Sequence, residues 1–217
     1  MPTHQPETAT SLSRRERNKR RIEERLYSSA LALFAKQGYD KTTIDEIAEH
    51  ADVARGTFFN YFQRKEDLIS AWGERRRHML EEAMSGSEPV EGMDAVSRLR
   101  RCMAILADMN VDERHVAVPM LNAWVKAGRP LSETPYVAQI FTDIIAAGQE
   151  EGSMSKGVSA LHAGYILRDV YFGALYRWGG DAGAEGSPSL GKELQSALTL
   201  LFEGLSTGGR SAAATSP

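Results

Sequence analysis

The spacing of hydrophobic positions predicts helices along the whole chain. From Ile22 to Phe34 apolar residues recur every three or four positions, the repeat of one helical face. A long helix is predicted from Lys65 to Glu82. Five more follow, at about 93–109, 115–127, 134–150, 159–178 and 189–205. Because no segment has the alternating pattern of a strand, the predicted fold class is all-α.

Between residues 43 and 62 the pattern predicts two short helices joined by a tight turn. Thr43 and Glu46 have the spacing of a capping box, which marks a helix start. A turn of about three residues at 52–54 precedes a second short helix at 55–62. With the helix at 22–34 bracing them, the two form a helix-turn-helix.

The residues of this motif resemble the tetracycline-repressor (TetR) family. The resemblance rests on three segments, 38–48, 53–62 and 65–68, and covers residues 20–70. Two positions depart from the family pattern. Asp52 replaces the usual turn glycine, so we expect it to adopt a left-handed conformation. Ala54 replaces the usual serine, so we expect the second helix to lack a side-chain cap.

The resemblance implies that the motif contacts double-stranded DNA. Arg55 is expected to read a guanine in the major groove, Tyr61 and Lys65 to hold phosphates, and Phe59 to touch a thymine methyl. The full set of implied contacts is Thr43, Arg55, Gly56, Thr57, Phe59, Asn60, Tyr61 and Lys65. We add Arg17 and Arg20, because the basic run at 14–21 lies next to the motif.

For the rest of the chain the resemblance implies a larger helical bundle that binds a small effector and dimerises. The expected effector is mostly apolar. The candidate pocket residues are Met103, Met120, Trp124, Phe141 and Tyr171. The last two long helices are the expected dimer surface. Its candidate residues are Leu161, Tyr165, Arg168, Phe172, Leu194, Leu198, Leu201 and Leu205.

This gives four segments along the chain. We predict a disordered arm at 1–13 and a helix-turn-helix DNA-binding domain at 14–64. A ligand-binding and dimerisation domain follows at 65–206, and a disordered tail at 207–217. The arm is rich in Pro, Thr and Ser, and the tail in Gly, Ala and Ser.

The distribution of charge along the chain fits a DNA-binding role for its first third. The net charge is −3, but residues 1–77 hold 15 Lys and Arg against 12 Asp and Glu. The single cysteine, Cys102, excludes an intrachain disulfide. The sequence has no signal peptide and no apolar run that would span a membrane, so we expect a cytoplasmic protein associated with a bacterial nucleoid.

The resulting hypothesis is a transcriptional regulator, a repressor by the family's default, that a small effector releases from a palindromic operator. We expect a homodimer, because its two DNA-binding domains would match the two halves of a palindrome. The alternatives are a helical enzyme or an interaction scaffold that does not bind DNA. The five histidines have no zinc-site spacing, and no phosphate loop or nucleophile elbow is present, so no catalytic residue, metal or cofactor is expected.

Overall fold

A computed structural model of the chain describes residues 13–86, 92–127, 136–180 and 189–204, and the secondary structure of these segments is helical without a strand. The all-α prediction is therefore confirmed. The helices are α1 (Arg14–Gln37), α2 (Ile44–His50), α3 (Arg55–Phe58), α4 (Glu66–Gly86), α5 (Ala95–Asp112), α6 (Arg114–Lys126), α7 (Tyr136–Glu150), α8 (Ala160–Gly180) and α9 (Leu190–Glu203). No helix within these segments is both long and apolar enough to cross a bilayer.

The described residues form two compact units. The first contains residues 13–71 and Pro119–Ala127, and the second contains Trp72–Val118 and the described residues beyond 128. Two helices carry residues of both units, since α4 passes from one to the other after Ala71 and α6 after Val118.

The first unit forms around α1. This helix starts with a reciprocal capping box between Ser13 and Glu16, and it ends at Gly38, whose φ of 84° suits glycine. Its apolar face is buried with the inner residues of α2, α3 and the first turn of α4. The fully buried large side chains of this unit are Leu26, Phe34, Ile47, Phe58, Leu68, Ile69 and Met120.

The second unit packs α7 closely against α8. Gly164 makes this approach possible, because a Cβ atom there would lie 2.7 Å from the carbonyl oxygen of Ala138 and would also overlap Thr142. Both of these residues belong to α7 of the same chain.

Helix α9 contributes to the core of the second unit with Leu190, Leu194 and Leu198, all fully buried. The prediction that Leu194 and Leu198 contact a second subunit is therefore wrong, because their side chains are already enclosed within one chain. Leu205 lies outside the described residues.

Several helix boundaries differ from the predicted ones: α1 begins at Arg14, eight residues before Ile22, and α5 runs to Asp112. The second helix of the motif, expected at 55–62, is α-helical only to Phe58 and continues as tight turns to Phe62. Helix α4 runs to Gly86, past the predicted end at Glu82. In α6, Pro119 stands inside the helix, where it removes one backbone hydrogen bond, and the two units divide at this residue.

Candidate nucleic-acid interface

The turn between α2 and α3 has the conformation that the sequence predicts. Asp52 has a φ of 51° and is the single non-glycine residue of positive φ among the described residues. The amide of Val53 donates to the carbonyl of Ala48 over 3.0 Å, which closes the turn. The expectation of a left-handed Asp52 is confirmed.

Arg25 braces this turn, and sequence reasoning missed it. Its guanidinium donates to the carbonyl and the carboxylate of Asp52, each at 3.1 Å, and also to the carbonyl of Ala51. The contact joins residues more than 25 positions apart, so no local pattern signals it. Arg25 thereby fixes α1 to the point where the chain enters α3.

Helix α3 presents a polar face above an aromatic core. Phe58 and Phe62 are buried with ring centroids 5.7 Å apart, whereas Arg55, Gly56 and Asn60 are exposed. Ala54 provides no side-chain cap, as expected. Phe59 is 46% exposed and meets Phe58 edge-on, so its outer side is free to contact a ligand surface.

Arg55 is held in position by a weak ion pair. Its Nη1 donates to the Asp45 carboxylate on α2 over 3.0 Å, and both side chains are more than half exposed. Exposed pairs of this kind contribute at most about 1 kcal/mol. Asp45 therefore orients the guanidinium, and Arg55 can leave this ion pair at little cost to contact another group.

Lys65 lies partly inside the first unit. Its ammonium donates to the carbonyls of Tyr39 and Thr42 over 2.7 and 2.9 Å, and it lies 4.1 Å from the centre of the Tyr39 ring. Desolvation lowers the pKa of Lys65, and the nearby carboxylates of Glu66 and Asp40 oppose this. Because an ammonium has three N–H donors, one remains for a phosphate.

Thr43 is occupied by the predicted capping box. Its amide and hydroxyl donate to Glu46 Oε2 over 2.8 and 3.0 Å, and the Glu46 amide donates to the Thr43 hydroxyl. These bonds hold the pKa of Glu46 below its usual value. A phosphate at Thr43 would have to compete with this carboxylate, so the contact stays a prediction. Tyr61 is half-buried, and Arg17 and Arg20 are exposed on α1.

The predicted pocket residues are divided between the two units. Met103, Phe141 and Tyr171 are buried in the second unit, and Met120 and Trp124 belong to the first. In the described part of the chain, no group of three or more His, Cys, Asp or Glu side chains is arranged to hold a metal ion.

The predicted dimer face keeps an exposed apolar part on α8 and α9. Leu161 and Leu201 are about half exposed and Tyr165 is exposed, while Phe172 is half-buried. Arg168 is paired with Asp169 and stacks 4.9 Å from the centre of the Tyr165 ring. The exposed apolar residues of these two helices also include Ile166, Tyr176, Leu200 and Phe202.

Known proteins resemble both the motif and the longer chain. Residues 26–72 match the family described as "Bacterial regulatory proteins, tetR family". Over 88 residues the chain is 39% identical to the HTH-type transcriptional regulator TcmR of Streptomyces glaucescens, and the alignment spans 39% of each protein. It is 27% identical over 177 residues to the HTH-type transcriptional repressor KstR of Mycolicibacterium smegmatis, covering 77% of this chain and 79% of KstR.

Solved structures are also similar over most of the chain. FadR of Thermus thermophilus, a TetR-family transcriptional repressor crystallised with lauroyl-CoA, is 29% identical and superposes with a TM-score of 0.67. The superposition covers 89% of this chain and 100% of that FadR chain.

Proposed function

The chain belongs to the tetR family of bacterial regulatory proteins, and from this premise we propose that it is a repressor released from a palindromic operator by a small, mostly apolar effector. The observation that carries the proposal is the helix-turn-helix at 44–58, whose α3 exposes Arg55, Gly56 and Asn60 over a buried aromatic base. Such a helix fits the major groove, where side chains distinguish base pairs by their hydrogen-bonding edges.

Within this proposal the residues have distinct tasks. Arg55 reads a guanine after leaving Asp45, while Asn60 and Thr57 contact base edges or phosphates. Tyr61 and the remaining N–H donor of Lys65 bind phosphates. Arg17 and Arg20 add affinity for DNA that does not depend on the base sequence. The exposed apolar residues of α8 and α9 form a homodimer that presents two DNA-binding domains, and the protein works in the cytoplasm at the nucleoid.

The effector acts through α4, whose first residues belong to the DNA-binding unit and whose remainder belongs to the second unit. An effector that binds more tightly when α4 is in one of two positions shifts the population away from the DNA-competent state. The size of this shift is set by the difference in the effector's affinity for the DNA-competent and the DNA-incompetent states. We propose a fatty acyl thioester as the effector class, because the T. thermophilus FadR was crystallised with lauroyl-CoA.

Fluorescence anisotropy with labelled DNA from upstream of the protein's own gene tests the DNA-binding part, with a scrambled duplex as the control. We expect selective binding whose affinity falls steeply with added salt, because displaced counterions accompany each phosphate contact. Equal binding to both duplexes, or none at low salt, would reject the repressor and favour a scaffold or an enzyme.

A further inference from the structure

A polar cluster lies inside the otherwise apolar second unit, among α4, α5 and α8. It consists of Arg76 on α4, Asn110 on α5 and Tyr171 on α8, each at most 5% exposed. Tyr171 is one of the predicted pocket residues, and the expected effector is mostly apolar. A buried arginine therefore requires an explanation.

The hydrogen bonds of Arg76 are incomplete. Its Nη1 donates to the Met109 carbonyl over 3.4 Å and to Glu113 Oε2 over 3.3 Å. The other terminal nitrogen, Nη2, is buried and has no hydrogen-bond partner among the described residues. A buried donor without a partner is unfavourable, and buried donors in native proteins nearly always have one.

The Tyr171 hydroxyl is a second donor of the same cluster, and it interacts with the Arg76 guanidinium. The positive charge of Arg76 acts on the Tyr171 hydroxyl, which accepts a hydrogen bond from Asn110 Nδ2 over 3.0 Å. The same Asn110 nitrogen donates to the Leu106 carbonyl over 2.6 Å, which holds the amide in place. Burial raises the pKa of Tyr171, so the phenol keeps its proton. Since the oxygen accepts from Asn110, its O–H is free to donate elsewhere.

The charge of the cluster decides which group would fit there. Arg76 is already paired with Glu113, whose side chain reaches solvent, so the pair has no net charge. A carboxylate added here would leave one negative charge in excess in a buried place, which is costly. A neutral carbonyl oxygen instead accepts from both Nη2 and the phenol without adding charge.

The surroundings favour the same kind of ligand. Trp72 lies beneath the guanidinium, with the Arg76 Cζ atom 4.9 Å from its ring centre. Cys102, Leu106 and Asn110 follow one another at intervals of four residues along the buried face of α5. The polar donors are therefore bordered by apolar side chains, as in sites for ligands with a long apolar body and few polar atoms.

We propose that Arg76 and Tyr171 bind the carbonyl oxygen of the effector, at a thioester, ester or ketone group attached to its apolar chain. Asn110 is a positioning residue that holds the phenol. This inference rests on the proposed function, and it adds the ligand atom that the second unit recognises. Because Arg76 is on α4, it also places the recognised atom next to the helix on which the proposed release depends.

The test compares lauroyl-CoA with its thioether analogue S-dodecyl-CoA, which has the same chain length but no carbonyl oxygen. Binding of each to the full-length protein is measured by calorimetry, for the wild type and for Tyr171→Phe. The control is Tyr39→Phe, the same chemical change in the first unit, where the lost hydroxyl is one that donates to Glu66. Arg76→Lys is a second variant, which keeps the charge and removes the forked donors.

We expect the wild type and Tyr39→Phe to bind the thioester about fivefold or more tightly than the thioether, as one or two hydrogen bonds predict. In Tyr171→Phe and Arg76→Lys this preference should shrink, with thioether affinity unchanged. Equal wild-type binding of both ligands would overturn the carbonyl site, and so would an undiminished preference for the thioester in Tyr171→Phe and Arg76→Lys. Neither result would contradict the proposal that the effector is a fatty acyl thioester. Binding of neither ligand would overturn both, whereas the operator titration reports separately on DNA binding.

Discussion

Arg55 is the residue whose role differs most between the free protein and the proposed complex. In the free chain its guanidinium is held by Asp45 and lies 6.0 Å from the centre of the Phe59 ring. Both contacts are exposed and weak, so they orient the side chain and release it at little cost. A bidentate bond to guanine is stronger and carries sequence information.

Replacing Arg55 by alanine should therefore weaken operator binding and also reduce base preference. One bidentate contact is worth about 1–3 kcal/mol of discrimination, or roughly 5- to 150-fold. The measurement is anisotropy against the operator and its single-base variants. Arg177→Ala is the control, since it removes an exposed ion pair with Glu193 in the second unit. An Arg55→Ala protein with wild-type affinity and preference would show that α3 is not the reading element.

The burial of Cys102 predicts how reactive its thiol is and how its contribution to stability depends on pH. The thiol is fully buried on α5, and burial raises its pKa from the ordinary 9.0 to about 12. Since the thiolate is the nucleophile, iodoacetamide at pH 8 should label the native protein very slowly and the urea-unfolded protein rapidly. The stability that this thiol contributes is complete below pH 9 and is lost as the pH rises towards 12, because only the unfolded chain ionises easily there. Labelling of the native protein at the rate of a free thiol, followed by mass spectrometry, would contradict this burial.

Residue roles that depend on local sequence could be predicted, and those that depend on contacts across space could not. The left-handed Asp52 and the missing cap at Ala54 follow from neighbouring residues and their turn chemistry. Arg25 and Asp45 act on residues at least ten positions away. Nothing in the periodicity distinguishes them from other exposed charges.

Among the helices, the pairing of α7 with α8 depends on Gly164. Alanine at this position would press its Cβ against the Ala138 carbonyl and Thr142, so Gly164→Ala should destabilise the protein by about 1–3 kcal/mol. Gly173→Ala on the same helix is the matched control, because its Cβ would meet only Arg177 at an ordinary 3.5 Å. Urea unfolding curves compare the two variants. Equal midpoints would mean that α7 and α8 do not approach as closely as described.

The order of the helices in the described segments could be predicted because each helix repeats its apolar positions. The length of α3 could not, since Phe59–Tyr61 continue the aromatic pattern while the amides of Asn60 and Tyr61 bond three residues back. The division of α6 at Pro119 also escaped prediction, because the apolar pattern runs through the proline. Burial of Leu194 and Leu198 within one chain could not be separated from dimer contact by spacing alone.

For the whole molecule, the exposed apolar residues of α8 and α9 support a dimer. Leu201 is 45% exposed on the last described turns, next to the exposed Leu200 and Phe202. A charge there would be buried without a partner in an interface, so Leu201→Glu should shift the protein to monomer and weaken operator binding. Light scattering with size exclusion measures the mass, and Lys192→Glu at an exposed position of α9 is the control. A mass unchanged by Leu201→Glu would place the dimer contact elsewhere.

In the proposed function, effector binding and DNA binding oppose each other in one chain. The most direct test of this opposition is the Kd for operator DNA measured with and without saturating lauroyl-CoA, at one salt concentration. We expect the ligand to weaken operator binding by about 5- to 150-fold, the range of a 1–3 kcal/mol coupling. By linkage, operator DNA should weaken lauroyl-CoA binding by the same factor. An operator Kd that lauroyl-CoA leaves unchanged, although the ligand binds, would contradict the account.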